Sequence, residues 1–134
     1  MQFYGAGNDP DWALDSRRLG PATKAAVSQA SESVTCTWAI PNSDGFIFFS
    51  VSRLPEVAKN ELVAALRASD YVESAHGNAP IFTYDDGARG IGFGPIRLAF
   101  VGPFIFHTQD PRDGGPALVI DNIQAANIGH EDFA

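Results

Sequence analysis

Cysteine occurs once in the 134-residue chain, at Cys36, so no disulfide can close within it and no paired-cysteine zinc site can form. Flanked by Thr35 and Thr37 and in phase with Trp38, this thiol is expected to point into the core as a small hydrophobe. Lysine is almost as scarce: two Lys and seven Arg stand against sixteen acidic residues, for a net charge of −7. The nine cations are scattered. A surface for nucleic acid or anionic lipid needs them clustered to displace counterions, so neither partner is expected. No apolar run approaches the roughly 20 residues that cross a bilayer as a helix, so no membrane span is expected. Met1 to Gly5 has neither the basic start nor the apolar stretch of a secretory leader. Location stays open: cytoplasmic by default, extracytoplasmic if a leader has been removed.

Motifs for known chemistries are missing as well. His76, His107 and His130 are too far apart for a local metal motif, and His-Glu-x-x-His does not occur, so no metal is expected. Gly90-x-Gly92-x-Gly94 runs into Pro95 and a strand-like segment. A phosphate loop must instead open a helix whose N-terminus meets the anion, so no nucleotide cofactor is expected. No Gly-x-Ser-x-Gly elbow surrounds any serine.

What is abundant is aromatic and β-branched. Hydrophobic residues make up 45% of the chain, with ten Phe and two Trp, which is enough to build a core in one domain of this length. The densest run is Ile96 to Thr108, interrupted by Gly102-Pro103. With Gly102 taking a positive φ, these two residues form a tight hairpin turn in which Val101 opposes Phe104 and Ala99 opposes Phe106. Leu98, Phe100, Ile105 and His107 then share the other face. Both faces carry bulk.

The earlier chain reads as follows. Residues 1 to 18, rich in Gly, Asp, Asn and Pro, form an arm anchored by Trp12 and Leu14, and 19 to 134 form a single domain. Pro21 opens a helix with Ala22, Ala25, Ala26, Val27 and Ala30 as its stripe. Val34 to Ile40 and Phe46 to Val51 alternate as two strands around the turn cluster Pro41 to Gly45. A helix after Pro55 buries Val57, Ala58, Leu62, Ala65 and Leu66, and ends near Ser69-Asp70. Asp70 to Asn78 is a polar connection, and Ile81 to Tyr84 is a short strand. Asp85-Asp86 precedes Gly87 in a turn, a structural use of adjacent carboxylates rather than a catalytic pair. Pro116 begins a last helix carrying Val119, Ile123 and Ala126, with a strand over Ala117 to Ile120 as the competitor. The whole is an α+β domain: an antiparallel sheet of about five strands built from hairpins, with helices packed on one face.

Thr35-Cys36-Thr37-Trp38, the apolar hairpin after it, and Leu98-Ala99-Phe100-Val101-Gly102 resemble small secreted lipoprotein and sensor domains of actinobacteria. The resemblance implies an extracytoplasmic α+β domain that binds something and catalyses nothing. Such domains pair a cysteine of this kind with an upstream one, which this chain lacks. No site residue is carried over.

Two functional readings follow. The first is a non-catalytic binding or assembly module that uses apolar sheet surface, with Phe46, Phe48, Phe104 and Phe106 as its contact residues. Its expected partner is a second copy in a homodimer, or a small apolar ligand, because helices on one face leave aromatic rings on the other that favour burial. The final helix and the N-terminal arm are the alternative covers. The second reading is a small enzyme with a cavity between sheet and helices, using His107 and the nearby carboxylate of Asp110 as acid and base.

Overall fold

The computed structural model describes residues 2–3, 20–39, 46–85, 95–109, 115–127 and 129. The N-terminal arm, the turn 41–45, the glycine run 86–94 and Asp110 lie outside them, as do the side chains of Cys36, Trp38, Phe46 and Phe48. In chain order the elements are β1 (Gln2–Phe3), α1 (Pro21–Val27), β2 (Glu32–Ala39), β3 (Phe46–Arg53), α2 (Glu56–Arg67), β4 (Val72–His76), β5 (Ala79–Tyr84), β6 (Ile96–Val101), β7 (Phe104–Gln109) and α3 (Gly115–Ala126). One sheet holds every strand in the order β1-β2-β3-β7-β6-β5-β4, and every neighbouring pair is antiparallel. The fold is α+β. After β3 the chain crosses over α2 to the far edge, and β4 to β7 meander back until β7 meets β3.

Six strands of five or more residues stand where about five are expected, with the two-residue β1 at one edge. The additional strand is β4, Val-Glu-Ser-Ala-His, which reads as a polar connection because an exposed edge strand needs no apolar alternation. Its partner β5 begins earlier than expected and includes Pro80. The pairing of β5 with β6 starts only at Ile81, so the N–H that Pro80 lacks is not missed.

The central hairpin has the expected register: Val101 pairs with Phe104, Ala99 with Phe106 and Leu98 with His107, and Gly102 has φ +53°. One face of the sheet therefore presents Phe82, Leu98, Phe100 and Ile105, which pack with Ala26 of α1, Leu54, and Leu62 and Leu66 of α2. Phe82 and Phe100 meet edge to face at 5.8 Å. The helices show which phases won. In α2 the buried line is Ala58, Leu62 and Leu66, one turn apart, whereas Val57 lies outside it and is exposed. In α1 it is Thr23 and Ala26 that are buried, while Ala22 and Ala25 face solvent.

The opposite face presents Ala79, Ile81, Ala99, Val101 and Phe106, and α3 closes it with Ile120, flanked by Ile123. Of the two covers expected as alternatives for this face, the final helix is the one in place among the described residues. Two pack on the first face and the third on the second, because the hairpin has bulky residues in both phases and each phase needs cover. The segment 117–120 is helical; Ile120 is buried, Ile123 half-buried and Ala126 exposed, and the side chain of Val119 lies outside the described residues.

Phe106, 1% exposed, sits between Ile120 and Phe49, whose ring centroid lies 6.1 Å away. Phe106→Ala should therefore cost about 3–5 kcal/mol in urea denaturation. Val34→Ala, at a position 58% exposed on the same face, should stay within about 0.5 kcal/mol. Similar losses for the two would contradict a seal over only one half of this face.

Candidate functional site

The sequence-derived candidates fall on two sides of the sheet. Along β7, Ile105, His107 and Gln109 occupy the α1/α2 side, and Phe104, Phe106 and Thr108 the α3 side. Between β3 and β7, Val51 is paired with Phe106, Ser50 with His107 and Phe48 with Gln109. Phe49 and Val51 therefore share a face with Phe104 and Phe106, while Phe46 and Phe48 take positions on the opposite one. The side chains of Phe46 and Phe48 lie outside the described residues; along β3 their positions alternate with those of Phe49 and Val51. Phe106 is also buried inside the chain, and Phe104 is half-buried with the Arg53 guanidinium 5.2 Å from its ring centroid.

His107 lies in a cross-strand row that runs Thr35, Ser50, His107, Leu98. Hydroxyl side chains dominate this part of the face. Ser33 and Ser52 share a hydrogen bond of 2.6 Å in the adjoining row. His107 is 3% exposed, and Thr108 and Gln109 after it are also buried. Asp110 lies outside the described residues, so the acid–base pair is not seen as a unit. Among the described residues no group of three or more His, Cys, Asp or Glu is placed to hold a metal ion.

The clearest electrostatic features surround β4, which sequence reading passed over. On the α2 side, Arg67 donates through Nε and Nη2 to the two carboxylate oxygens of Glu73, at 2.9 and 2.8 Å. That hydrogen bonding holds the Glu73 carboxyl below its ordinary value, and the same contact raises Arg67. On the α3 side, His76 Nε2 lies 2.6 Å from Asp121 Oδ1. Tyr71, just before β4, packs on Tyr84 with ring centroids 5.4 Å apart, and burial raises its phenol above the usual tyrosine value. Only a polar strand with ionisable side chains in both phases, Glu73 and His76, could have signalled these contacts.

No family model, curated protein or solved structure matches the chain, so its functional reading rests on its own geometry.

His107→Ala should lower stability by about 1–3 kcal/mol without abolishing folding, the ordinary range for one buried polar side chain. Chemical denaturation measures this. Glu73 gives a second test. Its carboxyl is lower in the folded state, so the Arg67 contact stabilises at pH above the ordinary carboxylate range. That contribution disappears as pH falls through the lowered value. Arg67→Ala should return the Glu73 carboxyl titration, followed by NMR, to the ordinary range. An unmoved midpoint would assign the shift to another cause.

Proposed function

We propose that the protein is a non-catalytic binding or assembly module, and that the surface it uses is the β2–β3 half of the face partly covered by α3. One row of cross-strand neighbours carries this reading: Val34, Val51, Phe106, Ala99, Ile81. Its last three members are buried with Ile120, Val51 is half-buried, and Val34 is 58% exposed. Among the described residues cover stops partway along a continuous apolar stripe. Phe49, half-buried in the next row of β3, widens the uncovered end. Apolar sheet surface of this kind gains about 25 cal/mol per Å² when a partner removes it from water.

The ligand class is accordingly apolar, whether a small molecule or the surface of another protein. The acid–base reading has less support. His107 is buried within the sheet layer, so a substrate could touch its ring only if the packing around it opened.

The probe for this surface is 1-anilinonaphthalene-8-sulfonate, an apolar dye that fluoresces when shielded from water. Folded wild-type protein should enhance its emission. Val34→Glu, at an exposed position, should reduce the enhancement while leaving the thermal midpoint nearly unchanged. No enhancement by the wild type, or equal enhancement by the variant, would contradict the proposed surface.

A further inference from the structure

β4 ends the sheet, and among the described residues no strand pairs with its outer side. Its first four residues are exposed and His76 is half-buried, so its side chains are open to solvent. Neither proline, lysine nor a bulge blunts this edge: the pairing with β5 runs without a break from Val72 opposite Thr83 to His76 opposite Ala79.

Which backbone groups face outward follows from the turn. Gly77 and Asn78 are the two loop residues, so the flanking pair His76 and Ala79 exchanges both hydrogen bonds, and so in alternation do Ser74 with Ile81 and Val72 with Thr83. Pro80 agrees with this, because it has no N–H and sits opposite Ala75, in the non-bonded class. The N–H and C=O groups of Glu73 and Ala75 therefore point away from the sheet. They form a short ladder.

The strand that displays this ladder is held from both layers. Glu73 is tied to Arg67 of α2 on one face, and His76 to Asp121 of α3 on the other. An edge fixed in this way loses little conformational freedom when another strand is added.

We infer that β4 pairs antiparallel with β4 of a second copy, across a two-fold axis at Ser74, so that Glu73 of each copy exchanges both backbone hydrogen bonds with Ala75 of the other. The strand is complementary to itself in this register. A two-fold centred on Ser74 joins the two outward-facing residues in bonded pairs, four hydrogen bonds in all, and places the two Ser74 residues opposite each other in the non-bonded class. Glu73 then faces Ala75 rather than another Glu73. The exposed Val72, 68% accessible, comes opposite His76 of the other copy on the α3 side. A two-fold centred on Glu73 would set like charges face to face. Because the axis is perpendicular to the sheet, the apolar β2–β3 surfaces lie at the two far ends and stay open. The pairing stands independently of the function proposed above.

Light scattering on the full chain at high micromolar concentration should show a dimer, and a monomer there would overturn the inference. Ala75→Pro removes an outward N–H that the fold does not use. This variant should be a folded monomer; a folded dimer would place the contact elsewhere. Charge variants at the same exposed position test the register whatever the proline does. Ala75→Glu, set against Glu73 of the other copy, should raise the dimer dissociation constant severalfold, and Ala75→Lys should leave it equal or lower. Equal effects of the two charges would overturn the register.

Discussion

The turn at Gly102-Pro103 fixes the parity on which the rest of the molecule depends. With Gly102 at φ +53° and two loop residues, Val101 must face Phe104, and every later pair of the hairpin follows from that. A slip of one residue would move Phe106 to the α2 side and Ile105 to the α3 side, and both clusters would lose their fit. The turn is also held from outside: the Leu54 amide donates to the Pro103 carbonyl at 2.9 Å, and Lys59 of α2 donates to the Gly102 carbonyl. The end of β3 and the first helical layer are thus registered against the same two residues.

From that parity comes a sheet with two unequal faces. Beneath α1 and α2 Phe82, Leu98, Phe100 and Ile105 of β5, β6 and β7 are buried, whereas the same face over β2 and β3 carries Ser33, Thr35, Ser50 and Ser52. On the opposite face the order is reversed: apolar residues continue out to Val34, and among the described residues α3 covers the β5–β7 end. Ile120 of α3 packs on that end of a seven-stranded sheet, and Val34 near the other end is exposed. The apolar half that the described residues leave exposed is the surface for which a binding role is proposed.

The β4 edge obeys different physics. Its pairs with Arg67 and Asp121 are solvent-exposed, and contacts of that kind add little to global stability. Their effect is positional. They hold in place a strand with almost no apolar burial of its own, whose remaining anchor is the ladder to β5. With sixteen acidic residues against nine Lys and Arg, using Arg67 here places one of the scarce cations beside a carboxylate of an exposed strand.

Much of this architecture was legible in local sequence. Alternation marked Val34 to Ile40 and Phe46 to Val51, Pro21 and Pro55 marked two helix starts, and Gly102-Pro103 marked the hairpin together with its register, because each signal acts over a few residues. The composition of β4 carried no such signal: its strand state is imposed by β5 across a Gly77-Asn78 turn, not by apolar periodicity. The position of α3 and the face shared by Phe106, Phe49 and Val51 were likewise decided only in three dimensions. Ile120 is buried because Ala99 and Phe106 present a surface that needs cover, and Val51 lies opposite Phe106 because β3 and β7 meet in one register among several that each strand's own alternation allows. Period and turn chemistry are properties of the chain. The pairing of distant strands, and hence which apolar phase is covered and which stays open, belongs to the assembled sheet.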